Sequence, residues 1–174
     1  MSIKKIVVIG PESTGKSTLS KALATSLNTI WVPEYARTFL TQTKGEYEEL
    51  DLLTMAEGQL EAENSLEVNA NRFLICDTDL YVFKVWSEHA YHQCHRWILE
   101  QIALRNYDLY LLTGIDMPWE ADPLREHSNP HLRSYFYHQY KDIVQHSGVP
   151  WEAINGNPQE RLERALDTIN RLLN

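Results

Sequence analysis

The stretch "IVVIGPESTGKST", residues 6–18, constrains this chain more than any other feature. An apolar run ends in Gly10-Pro11-Glu12-Ser13-Thr14-Gly15-Lys16-Ser17, a full match to G-x-x-x-x-G-K-[ST]. Each position has a physical task. Gly10 and Gly15 let the backbone turn tightly and approach a ligand without a Cβ in the way. The loop N–H groups then point inward at phosphate oxygens, and a helix starting near Lys16 adds its positive end. Lys16 is expected to reach the β and γ phosphates, and the Ser17 hydroxyl to take a place on Mg²⁺. Glu12, Ser13 and Thr14 fill the variable loop positions. Thr18, the next polar residue of the helix start, is grouped with them as nucleotide-binding. Strand before and amphipathic helix after are the context this motif requires, so the first expectation is a bound nucleotide.

The rest of the chain repeats that alternation. "NTIWVP", "RFLICD", "YDLYLLTG" and "GVPWEAIN" read as further strands. Helical patterns fall at about 48–71, 80–105 (one helix or two), 133–145 and the C-terminal "NPQERLERALDTINRLL". In the last, Asn157 suits the cap, Pro158 the first turn and Glu160 a capping box. Residues 115–133 hold three prolines and favour turns. The expectation is an α/β domain with a mainly parallel sheet, its ligands beyond the carboxyl ends of the strands. At 174 residues and 43% hydrophobic content the chain suits one domain over 1–174.

Net charge is −8, but residues 46–67 carry eight acids and no Lys or Arg, leaving sixteen acids against sixteen bases elsewhere. The excess reads as one solvated helix face. No basic stripe suggests nucleic acid. No apolar run approaches the roughly 18 residues of a membrane span, and "MSIKK" leads straight into a strand with no signal peptide. Two cysteines without a CxxC pair fit a reducing compartment, so the expected location is cytoplasmic. "HAYHQCH" (89–95) brings histidines to helical spacing, but it lacks distant ligand partners and reads as an aromatic helix surface rather than a zinc site.

Four further places bear on the chemistry. "FLICDTD" ends a strand in Asp77, which fits the metal-side acid of a P-loop enzyme, with Asp79 close by. Either could accept a proton from an attacking hydroxyl, and either could instead cap the helix near Leu80. "PEYAR" puts Glu34 and Arg37 at a strand-to-helix junction facing an acceptor: Glu34 to bond sugar hydroxyls, Arg37 to reach a phosphate or pair with Glu34. After the fourth strand, Arg125 and Arg133 belong to an expected lid over about 115–135, with Trp119 at its entrance to stack on a flat base or to anchor packing. After the last strand, Asn157 and Arg161 are placed at the edge and face of adenine, with plain helix capping the alternative for Asn157. No N-K-x-D guanine-reading motif is present.

Taken in order, "GPESTGKSTL", "EYAR", "DTD", then "W" and "LR" resemble the ribosylnicotinamide kinase domain of NadR-type proteins, within the wider AAA-like ATPase and kinase group. The resemblance implies a three-layer P-loop NTPase fold with a five-stranded parallel sheet and an arginine-bearing lid. It implies use of ATP and Mg²⁺, and a riboside substrate phosphorylated at its 5′-hydroxyl, nicotinamide riboside becoming its mononucleotide in NAD biosynthesis. By position it makes Lys16 and Ser17 the P-loop residues and Asp77 and Asp79 the strand-end acids. It makes Glu34, Tyr35 and Arg37 the acceptor motif, and Arg125 the lid arginine. NadR-type proteins also carry an adenylyltransferase domain. This chain opens at the kinase strand, so the expectation is that it neither makes NAD from the mononucleotide nor represses genes. A partner-dependent regulatory ATPase without a small acceptor is the alternative from another class.

Overall fold

The computed structural model describes residues 2–125 and 129–173. Five strands, β1 (Lys4–Ile9), β2 (Ile30–Val32), β3 (Phe73–Asp77), β4 (Leu109–Thr113) and β5 (Trp151–Ile154), form one parallel sheet in the order β2-β3-β1-β4-β5. The helices are α1 (Lys16–Ser26), α2 (Tyr35–Gln42), α3 (Glu49–Glu67), α4 (Leu80–Tyr91), α5 (Arg96–Leu104), α6 (Pro130–His146) and α7 (Pro158–Leu173). Central β1 pairs on both sides, with Ile6 opposite Ile75 and Leu109.

Both faces of the sheet are covered, so its inner strands are continuously apolar rather than alternating. Ile6, Val8, Ile75 and Leu111 pack beneath α1 and α7, against Leu19, Leu23, Ala165 and Ile169. Their neighbours Val7, Ile9, Cys76 and Leu112 face the other way, onto Val85 of α4 and Phe136, Tyr140 and Val144 of α6. A third cluster joins α2, α3, α4 and α5 through Leu40, Leu52, Met55, Phe83 and Ile98. The expected three-layer α/β architecture is therefore observed.

One open reading is settled and two expectations need correction. Of the two readings of 80–105, the two-helix one is observed: His92 takes a left-handed conformation that ends α4, and His95 caps α5 through Nδ1. Helix α6 starts at Pro130, not Arg133: Asn129 accepts the His131 N–H and Pro130 occupies the first turn. Arg133 therefore sits in a helix, while the irregular part of the expected lid runs only to Arg125 before 126–128, which lie outside the described residues. Finally, the acidic run is not wholly solvated. Glu63 is fully buried, bonded by Arg105 Nη2 at 3.2 Å and the Tyr107 hydroxyl at 3.0 Å. Burial pushes its carboxyl above the ordinary 4.5, opposed by Arg105 and Tyr107.

Candidate active site

The loop between β1 and α1 is held at both ends by glycine. Gly10 has φ +151°, and a Cβ there would lie 2.4 Å from Thr113 Oγ1. Gly15 has φ +75° and caps α1. Thr14 locks the turn, its hydroxyl donating to Pro11 O at 2.8 Å and lying 2.7 Å from Thr113 Oγ1. Three cations hold the loop's carbonyls. Lys16 Nζ donates to Pro11 O at 2.8 Å, Arg133 Nη2 to Ser13 O at 3.3 Å and Arg161 Nη1 to Thr14 O at 2.6 Å.

Asp77 closes β3 beside this loop. The Ser17 hydroxyl donates to its Oδ2 at 2.5 Å. Its Oδ1 is buried with no hydrogen-bond partner among the described residues. Burial raises its carboxyl above the ordinary 3.8, against the pull of Lys16 and the Ser17 bond. An alcohol oxygen beside a carboxylate with one spare oxygen fits a hard divalent cation.

Asp79 lies elsewhere. Thr78 has φ +73°, which turns the chain away from the loop. Asp79 caps α4 by accepting the Tyr81 N–H at 3.0 Å and takes the Tyr110 hydroxyl at 2.7 Å on its other oxygen. It lines neither cavity described below. Burial outweighs those bonds and lifts its carboxyl to about 7. The expected catalytic role for Asp79 gives way to helix capping.

Two cavities flank the loop. The first, about 230 Å³, is lined by the loop together with Glu34, Arg37, Val82, Trp86, Arg125 and Tyr140, among others. Glu34 lines it without a hydrogen bond to its carboxylate among the described residues. Burial raises Glu34 above 4.5; Lys16 opposes this, and the carboxylates of Asp77 and Glu12 add to it. The cavity's apolar lining comes from α2, α4 and α6. Trp86 is fixed there by donating Nε1–H to the Tyr47 hydroxyl at 3.0 Å. The second cavity, about 330 Å³, lies on the other side, between the start of α1, residues 117–120 and the start of α7.

The segment after β4 bridges both. Ser13 Oγ accepts from Glu120 N at 2.8 Å and from Arg125 Nη1 at 3.2 Å, and Arg125 lines both cavities. Asp122 pairs with Arg37 at 2.5 Å, joining this segment to α2. Arg37 thus finds Asp122, not Glu34.

Several expected residues are engaged in packing, capping or holding the loop. The Tyr35 ring lies against Gly58, where a Cβ would come within 2.2 Å of it, and its backbone N–H donates to Gln59 Oε1. Trp119 lines neither cavity, and its buried Nε1 has no partner among the described residues. Arg133, 8% exposed, holds Ser13 O and Met117 O and lines neither. Asn157 spends Oδ1 on the Gln159 and Glu160 N–H groups, completing the capping box with Glu160. Arg161 does line the second cavity, but it is 2% exposed and its donors are spent on neighbouring oxygens. The sequence reading missed Trp86, Phe136 and Tyr140 as cavity walls, Asp122 as the partner of Arg37, and Gly58. Of these only Gly58, a glycine inside a helical pattern, carried a local signal.

Comparison with known proteins places this geometry. A family model described as "AAA domain" matches residues 5–161. The trifunctional NAD biosynthesis/regulator protein NadR of Escherichia coli is 22% identical over 98% of this chain and 43% of its own length. That of Salmonella typhimurium is 24% identical over 84% of this chain and 37% of its own. The chain therefore spans less than half the length of these relatives. A crystal structure of NadR protein in complex with NR superposes with TM-score 0.74 at 25% identity, over 98% of this chain and 51% of the other. Thymidylate kinase from Ehrlichia chaffeensis, at 15% identity, shares the fold with TM-score 0.69, over 97% of this chain and all of its own. The match extends over most of the sequence: the chain belongs to the AAA-domain family of P-loop proteins and is a homologue of NadR.

Proposed function

We propose that the protein transfers the γ-phosphoryl group of ATP to the 5′-hydroxyl of nicotinamide riboside, giving the mononucleotide. The observation that carries this reading is the pair of cavities meeting at the phosphate loop, one of them holding an unbonded carboxylate and an aromatic wall. A regulatory ATPase needs a site for the nucleotide alone, whereas a kinase needs a second cavity for its acceptor. The homology to NadR and the NadR complex with NR support the choice of riboside.

In this reading the adenosine occupies the larger cavity and the triphosphate the loop. Lys16 exchanges Pro11 O for phosphate oxygens, an outlay the stronger charge-assisted contact offsets. Ser17 and Asp77 would hold Mg²⁺, which supplies charge neutralisation to the phosphate oxygens when bound. The riboside enters the smaller cavity with its flat ring against Trp86, Phe136 and Tyr140. Glu34 takes the proton of the 5′-hydroxyl as that oxygen bonds to the γ phosphorus. The bond to the bridging oxygen breaks and ADP leaves, while Arg125 balances the spreading negative charge.

The test is to incubate purified protein with ATP and Mg²⁺ and a panel of ribosides, following ADP and the mononucleotide, with Lys16→Ala as the control. Conversion of nicotinamide riboside ahead of adenosine, cytidine and thymidine is expected. Turnover of ATP without any phosphorylated riboside sinks the proposal.

A further inference from the structure

The mechanism above leaves unused the largest side chain among those with almost no exposure, Arg161. A guanidinium so deeply buried is costly unless its donors are spent. Arg161 Nε donates to Gly156 O at 2.8 Å and Nη1 to Thr14 O at 2.6 Å. Nη2 donates to Gly114 O at 3.1 Å and to Asp116 Oδ1 at 2.5 Å. The second oxygen of Asp116 accepts from Gly156 N at 2.6 Å. One side chain on α7 thus ties together the phosphate loop, the exit of β4 and the turn after β5.

The contact with Thr14 has a directional consequence. In a trans peptide the carbonyl and the following N–H point opposite ways. Pulling Thr14 O back toward Arg161 therefore aims the Gly15 N–H forward, into the concave side of the loop. Lys16 does the same for the peptide after Pro11, but it must leave that carbonyl to reach a phosphate. Arg161 has no such second duty, and Asp116 holds its Nη2.

We propose that Arg161, locked by Asp116, is a positioning residue that sets the Thr14–Gly15 peptide so its N–H meets the β-phosphate of the nucleotide. This rests on the nucleotide reading above and is independent of the acceptor. It predicts a loss in the phosphate grip, not in base binding.

The experiment compares ADP with AMP, by calorimetry without riboside, on folded protein checked by circular dichroism. The wild type should prefer ADP. Arg161→Lys, which can reach only some of the four acceptors, should weaken ADP by about tenfold or more and AMP by less than about threefold. Should that variant not fold, Asp116→Asn is the gentler probe, since Asp116 is 40% exposed and asparagine still accepts the Gly156 N–H. It should shrink the ADP-to-AMP preference by about threefold. Equal weakening of both nucleotides would mean that Arg161 acts only as a wall of the nucleoside cavity, which it lines, and would overturn the proposal. Unchanged affinities in a folded variant would overturn it as well. Wild-type protein that binds no ADP would instead remove the nucleotide reading itself.

Discussion

Glu34 carries a charge that no side chain or backbone group among the described residues bonds, in a cavity whose burial favours its neutral form. Such a group holds a proton to higher pH than a surface glutamate and can take one up from a hydroxyl. Two results follow. Glu34→Gln should lower kcat by about 10²–10⁴ while leaving ADP binding near that of the wild type. The acidic limb of kcat/KM should lie above 4.5, because only ionised Glu34 can act as base. Asp79 makes a different prediction, in stability. Its carboxyl moves from 3.8 to about 7 on folding, so the folded state binds more protons between those values. Its contribution is full below about 4 and is lost as the pH rises through about 7. Asp79→Asn should remove much of that decline, read as urea midpoints at pH 5 and pH 8; an unchanged slope would place the pH dependence on the other carboxyls raised by burial, Glu34, Glu63 and Asp77. At this scale the sequence showed what was local. Lys16, Ser17 and Asp77 follow from loop spacing and strand parity. Asp79 read as a possible base alongside Asp77, because nothing in "DTD" reveals that Thr78 goes left-handed before it.

Between elements, contacts depend on sizes that no motif records. Helix α3 carries Gly58 in its interior, where alanine would ordinarily favour the helix by about 1 kcal/mol. Here the Tyr35 ring fills the space a Cβ needs, and the backbone N–H of Tyr35, bonded to Gln59 Oε1, fixes where that ring starts. Overpacking should win: Gly58→Ala is expected to destabilise the protein by about 1–3 kcal/mol in denaturant unfolding. Adding Tyr35→Ala should recover part of the loss contributed by the clash, giving a favourable coupling in the double-mutant cycle. Simple additivity of the two would show that α2 and α3 do not meet as described. The same dependence explains why Tyr35 read as a substrate contact: "PEYAR" displays a tyrosine at the right junction, but the glycine that receives its ring stands more than twenty residues away. Periodicity did locate the helices, since it needs only neighbours. The start of α6 was missed because Asn129-Pro130 signals a turn and a helix cap equally well.

For the molecule as a whole, the alternation of strands and helices announced a parallel sheet, but the order β2-β3-β1-β4-β5 comes from crossovers that no single segment encodes. That order puts the phosphate loop of central β1 between the ends of β3 and β4. The loop therefore has one cavity toward α2, α4 and α6 and another toward α7. Ser13, Gly15, Thr18 and Arg125 line both, so the two cavities share the loop as a wall. A direct transfer between two bound substrates needs this arrangement, whereas a phosphoenzyme route could use one cavity in turn. A single molecule carrying adenosine and nicotinamide riboside joined by a polyphosphate bridge should then fill both cavities at once. It is expected to compete with ATP and with the riboside alike. Its affinity should exceed that of either substrate by far more than their contacts with the loop suggest, since the second half binds without a further loss of translational freedom. Competition with ATP alone, with the riboside still able to bind, would mean that the two cavities do not act as one site.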